Sequence, residues 1–186
     1  MRRIALLALL VVLLAACETA YKDGVPNERS SQFWVPVYSH LVLHRSLEIV
    51  PYQHAAYLQD GRLLPWYDVN LYAPYCALAV QAPLEAAKRV DPDDFVVRRV
   101  AQRFLFMLAG SEGFVRAAIG RDRDGMTYEV LATVIELHSE RQAEVGSLTC
   151  ASWGLPQGGS YLTVEQIRRA LGAYFTLKLA PEARRP

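Results

Sequence analysis

Hydrophobic and polar positions change period several times along this chain, and each change marks an element. The cleanest alternation runs from Tyr75 to Gln81: Cys76, Leu78 and Val80 fall on one face, and Tyr75, Ala77, Ala79 and Gln81 on the other. That is the pattern of a half-buried strand, with Cys76 pointing inward. Leu41 to Val50 is rich in Leu, Val and Ile and stops at Pro51; Ala55 to Gln59 follows and ends at Asp60-Gly61, a strong turn pair. These two runs predict a hairpin turning at Val50-Pro51-Tyr52-Gln53. Asp94 to Leu108 reads two ways. Phe95-Val96-Val97 and Phe104-Leu105-Phe106 suit strands, with Arg98, Arg99 and Arg103 on a solvated face, while Val100 to Ala109 also admits a helix. The β-branched run Thr127 to His138, the polar turn Ser139 to Glu144 and the apolar run Val145 to Ala151 predict two further strands.

One helix is written plainly. Thr163-Val164-Glu165-Gln166 matches a capping box, Ile167, Ala170 and Leu171 continue an apolar stripe, and Gly172 supplies the stop. Ala173 to Leu179 is expected to form a last strand, and residues 181 to 186 a tail. Together these elements predict a mainly β fold, an antiparallel β-sandwich or small barrel with one short C-terminal helix.

The start of the chain follows a different rule. Met1-Arg2-Arg3 precedes 13 apolar residues, Ile4 to Ala16, and then Cys17. As a helix the apolar run covers roughly 20 Å, too short for a hydrocarbon core of about 30 Å. Its positive start and small-residue end fit a cleavable signal. Leu14-Ala15-Ala16-Cys17 resembles the lipobox of bacterial lipoprotein precursors. That resemblance implies removal of residues 1 to 16 and acylation of Cys17, which would be the covalent lipid anchor; no other cofactor is expected. Two or more acyl chains give lasting membrane attachment where one does not. Position 18 is Glu, and the absence of Asp there favours, under the sorting rule of such lipoproteins, the periplasmic face of the outer membrane. Residues 17 to 40 are expected to hold the lipidated Cys17 and a flexible tether, and residues 41 to 180 a periplasmic β domain.

Composition narrows the field. Residues 1 to 16 hold two of the 20 basic residues, so the mature part carries 18 against 19 acidic, a net charge of about −1. Such a balance offers no basic surplus for nucleic acid. Apart from Cys17 the cysteines are Cys76 and Cys150. In an exported chain a pair of this kind is expected to be a disulfide, since no third ligand lies at metal spacing and no Cys-x-x-Cys is present.

Candidate chemistry is sparse. His40 and His44 stand four apart, but in a strand context and without a third ligand; His54 and His138 are isolated. Asp122-Arg123-Asp124-Gly125 starts like a calcium loop, yet position twelve is Thr133 instead of Glu. No metal site is expected. No serine lies in a Gly-x-Ser-x-Gly elbow, and no glycine-rich phosphate loop occurs. Aromatic residues are the surplus. Trp66, Tyr67 and Tyr72 form a possible contact surface, with Tyr75 nearby; Phe33, Trp34 and Tyr38 form a second group. Aromatic faces bind sugars and partner proteins, and they also fill cores.

Beyond the signal, the chain resembles a group of uncharacterised small proteobacterial lipoproteins. The resembling pieces are Leu43-His44-Arg45-Ser46-Leu47-Glu48-Ile49, Leu58-Gln59-Asp60-Gly61, Tyr75-Cys76, Leu148-Thr149-Cys150, and Leu162-Thr163 through Leu171-Gly172. The resemblance implies a one-disulfide periplasmic domain and supplies no activity, cofactor or catalytic residue. The expected role is thus a membrane-anchored, non-enzymatic structural or interaction module that contacts another envelope protein or the cell wall. Alternatives are an enzyme acting on glycans, with Glu48, Asp60 or Asp68 as its carboxylates, or a carrier of a small apolar ligand inside a barrel.

Overall fold

In the computed structural model the described residues are 21–22, 25–81, 85–108, 127–153 and 159–181. Cys17, the signal segment, Ser111 and Asp122 to Gly125 lie outside them.

One sheet dominates. Its strands are β3 (His40–Leu43), β5 (Ala55–Gln59), β6 (Arg62–Leu64), β7 (Tyr75–Val80), β9 (Asp93–Leu108), β10 (Thr127–His138), β11 (Val145–Ser152) and β12 (Phe175–Lys178). Their spatial order is β12-β3-β9-β10-β11-β7-β5-β6, antiparallel throughout. The sheet curls into a half-barrel. Two short ribbons complete the strands: β1 (Tyr21–Lys22) with β2 (Val25–Pro26), and β4 (Leu47–Ile49) with β8 (Lys88–Val90).

The helix α1 (Val164–Leu171) lies against the open side of the curl and bonds to both edges. Gly61 N–H, in the β5–β6 turn, donates to Ala170 O at 3.0 Å, and the Arg168 guanidinium donates to Leu177 O in β12 at 2.9 Å. Thr163 and Gln166 form the expected capping box. Contact with the β5–β6 turn is so close that a Cβ on Gly172, just past the helix, would fall on Gly61 Cα. Both residues have positive φ, which glycine adopts without strain.

The concave core is aliphatic. Leu41, Leu43, Ile49, Leu58, Leu78, Phe95, Ile135 and Leu148 from the strands meet Ile167 and Leu171 from α1. These side chains line the inside of the curl. Cys76 and Cys150 are direct cross-strand partners on this face, Cα atoms 4.1 Å apart, and are disulfide-bonded as expected. The alternation read along β7 is observed: Cys76, Leu78 and Val80 join the concave core, and Tyr75, Ala77 and Ala79 the opposite face.

Several expectations are corrected. The run Leu41 to Val50 is not one strand and does not form a hairpin with Ala55 to Gln59. Leu41, Leu43, Arg45, Leu47 and Ile49 share one parity, so an unbroken strand would aim the Arg45 guanidinium into the core. The chain breaks at His44–Ser46 instead, Arg45 stays exposed, and β4 leaves the main sheet to pair with β8. The hairpin forms one element later: β5 pairs with β6 across Asp60-Gly61, both at positive φ, as a two-residue type I′ turn requires. The helix alternative for Val100 to Ala109 also fails over its described part, because β9 continues to Leu108 and pairs with β10 from Val96 to Leu108; Ala109 lies outside the described residues. A bulge opposite Glu136 adds one residue near Arg98, which keeps Val97 and Val100 both inward.

The expected domain start at residue 41 is too late. Phe33 and Val35 are buried in the core, and Tyr38 N–H donates to Val97 O at 2.8 Å. Glu28 pairs with Arg168, and Arg29 with Glu165 at 2.9 Å. The spacing of Phe33 and Val35 explains it: at i and i+2 in extended chain they reach the same face. From Asn27 onward the chain is part of the domain.

Candidate functional site: an aromatic shelf on the convex face

The convex face of β5, β7, β10 and β11 is paved with Ala55, Tyr57, Tyr75, Ala77, Val130, Ala132 and Ala151. Four of these seven are alanines, which leaves a low floor on which a chain segment can rest. Residues Pro65 to Pro74 cross it and turn Trp66, Val69 and Leu71 down onto it. Trp66 packs against Tyr57 with ring centroids 5.0 Å apart. Burial, and Tyr57 beside it, push the Tyr75 phenol well above its ordinary pKa, so it stays neutral beneath the shelf.

Gln59 fixes this segment. It ends β5 on the same parity as Ala55 and Tyr57, and is 4% exposed. Its Nε2 donates to Asn70 O at 2.8 Å and reaches Ala73 O at 3.3 Å, while Oε1 accepts from Asn70 N at 2.9 Å. Asn70 Oδ1 in turn accepts from Tyr72 N, and Trp153 N donates to Leu71 O. A buried amide whose donors and acceptor all serve one loop is expensive to disturb. The loop is held, not merely laid down.

Two rings stand out from it. Tyr67 is 81% exposed and Tyr72 is 67% exposed. Tyr72 stacks on Trp153 with centroids 4.9 Å apart and planes 5° from parallel, so Trp153 backs one face of a ring that stays largely exposed. Asp68 and Asn70, both exposed, stand between the two tyrosines in sequence, and residues 65 to 74 contain no Lys or Arg.

The three aromatic residues singled out from sequence therefore share one loop but not one role: Trp66 is a foot, and Tyr67 and Tyr72 are presented. Tyr75 and Phe33 are core. Trp34 and Tyr38 are exposed on the N-terminal segment, which packs along α1 and β9. Sequence reasoning missed Gln59 and Trp153. Both were open to parity: Gln59 follows Ala55 and Tyr57 by twos, and Trp153 follows Ala151 by two.

Other candidates are dispersed. His40 Nδ1 lies 2.7 Å from Asp94 Oδ1, and His44 Nε2 lies 2.7 Å from Thr176 Oγ1, so each binds its own neighbour. No group of three metal-ligating side chains occurs among the described residues. Glu48 opposes Arg89 in the β4–β8 ribbon, Asp60 sits in the β5–β6 turn, and Asp68 is on the shelf. These carboxylates are exposed on three separate elements. A denser polar network joins the β8–β9 and β10–β11 turns: Asp93 Oδ2 accepts from Ser139 at 2.7 Å and from Gln142 at 3.0 Å, and Gln142 also bonds both backbone groups of Asp91. It ties two turns together.

Comparison with family models, curated proteins and solved structures finds no match to this chain.

Proposed function

We propose that this protein is a lipid-anchored, non-enzymatic interaction module of the bacterial envelope, held through Cys17 and contacting the cell wall or another envelope protein through the aromatic shelf. The observation that carries the contact is the loop itself: two tyrosine rings are held in water by a segment that a buried glutamine fixes from below. Rigid aromatic groups bind at low entropic cost because little is left to order.

The sequence of residues 1 to 17 supports the anchor, and the Cys76–Cys150 bond fits an oxidising compartment. Only residues 18 to 26 separate Cys17 from the point where the chain joins the domain, so the lead is at most roughly 30 Å when fully extended. The module would then work close to the lipid surface, with the shelf on a face of the sheet that α1 and the N-terminal segment leave clear.

Metabolic labelling with an alkyne fatty acid tests the anchor. The wild-type chain should be labelled and sediment with membranes, and Cys17→Ser should be unlabelled and released. An unlabelled wild type, or a Cys17→Ser protein still on the membrane, overturns the reading.

A further inference from the structure

We infer that the shelf, residues 65 to 74 with Trp153, binds a neutral pyranose chain whose sugar face stacks on Tyr72. This rests on the contact role proposed above and adds the ligand. A pyranose ring presents a face of C–H bonds and a rim of hydroxyls. The face of an aromatic ring carries negative charge density and attracts C–H groups that present their positive ends. Tyr72 offers such a face, stiffened from behind by Trp153. Tyr67, five residues earlier and thus within about 17 Å along the chain, offers a second.

Polar groups beside the rings match the hydroxyl rim. Asp68 supplies carboxylate oxygens, and the exposed Asn70, whose side-chain oxygen accepts from Tyr72 N–H, adds an NH₂ group. A few placed polar groups beside apolar surface fix orientation in saccharide-sized sites. Charge narrows the ligand further. With Asp68 the one charged side chain between Pro65 and Pro74, the shelf repels polyanions such as nucleic acid or anionic lipid headgroups. A protein partner is the weaker fit. Protein hot spots centre on aromatic and arginine anchors sealed by surrounding contacts. Here the aliphatic Val69 and Leu71 face the floor, no arginine is present, and the other large exposed apolar side chains, such as Trp34, Tyr52 and Phe104, lie on other segments.

The test titrates the full-length chain in detergent with two neutral probes, the pentamer of N-acetylglucosamine and cellopentaose, and with heparin as a polyanion. Tryptophan fluorescence reports Trp66 and Trp153 of the shelf over a constant Trp34 background, and saturation-transfer NMR reports the ligand. A neutral pentamer should bind saturably and heparin should not. Tyr72→Ala should weaken binding about tenfold, Tyr72→Phe should stay within roughly threefold, and Trp34→Ala should have no effect. Tyr67→Ala removes an almost fully exposed ring, cannot unsettle the fold, and should weaken binding roughly threefold. Absence of saturable binding by both neutral probes, equal binding by the Tyr67 and Tyr72 alanine variants, or binding of heparin alone overturns the inference. So does a photo-crosslinker at position 67 that captures an envelope protein with no competition from the pentamers. Any of these results, obtained with a chain that still accepts the fatty-acid label, removes the sugar and leaves the anchored module standing.

Discussion

Along β7 and β11 the same backbone serves two faces that are closed by different means. The concave face is large and aliphatic, carries the disulfide, and is sealed by α1 and the N-terminal segment, which come from opposite ends of the chain. The convex face is low and alanine-rich, and is covered by ten residues that follow directly from the β5–β6 hairpin. The first closure is long-range, so its loss should undo the whole domain. The second is local and polar-clamped, so it should fail alone. The contrast separates what holds the fold from what the fold displays.

The concave side should give the largest effects. Cys76 and Cys150 are 74 residues apart, and closing a loop of that length stabilises by about 4 kcal/mol in the chain-entropy account. The double variant Cys76→Ala, Cys150→Ala should therefore lose about 4 kcal/mol in urea denaturation. A loss below about 1 kcal/mol would mean that β7–β11 pairing, not the crosslink, holds these strands. Leu78→Ala, two residues along on the same face and fully buried, should cost about 2–5 kcal/mol. Amide exchange should then accelerate across β7, β10 and β11 together.

The convex side should respond less and more locally. Gln59→Leu fills the same space but abandons the Asn70 N–H and the carbonyls above it, a cost of about 1–3 kcal/mol. Exchange and proteolysis should rise in residues 65 to 74 while the amides of β10 and β11 keep their protection. If the whole sheet loosens instead, the two faces are one cooperative unit and the division drawn above is wrong.

The contrast also explains what could be read in advance. Period and parity exposed β7, β10, β11 and α1, because each carries its own signal: strict alternation, a β-branched run, a capping box. They also placed Cys76 inward, and with it the disulfide. The predicted hairpin differs from the observed one because Pro51 and Asp60-Gly61 are both turn signals, and the decisive residue, Arg45 at an inward parity, acts by what it forbids. The continuous β9 was ambiguous because its arginines fit either a helix or a strand; pairing with β10 decided it. The shelf was half legible. Tyr67 and Tyr72 were visible as aromatic surplus, but the clamp depends on Gln59 meeting a loop eleven residues on, and the Tyr72–Trp153 stack joins residues far apart in the chain. Contacts of that kind leave no periodic trace.

Smaller effects belong to the ends of elements. Thr163→Ala removes the N-cap acceptor for Gln166 N–H and should cost about 1 kcal/mol, read as a lower urea midpoint with unchanged slope.

The turn network should set the acid response. Burial disfavours a charged Asp93, but hydrogen bonds from Gln142, Ser139 and Asp94 N–H, with Arg141 nearby, outweigh it and hold the carboxyl below the ordinary range. A carboxyl with a lower pKa in the folded than in the unfolded chain stabilises above its unfolded value of about 3.9, and that contribution is lost as pH falls through the folded value. Folding stability should hence be flat in this term from neutral pH to about pH 5 and decline below about pH 4. In Asp93→Asn that decline should be shallower by up to one proton in the linkage slope. Because Asp93 joins the start of β9 to the β10–β11 turn, the acid-sensitive unit is the end of the sheet, and the amides of the Pro65–Pro74 loop should keep their neutral-pH protection until the strands themselves open. Loss of loop protection ahead of the strands would show that the two regions share a titrating support that lies outside this network.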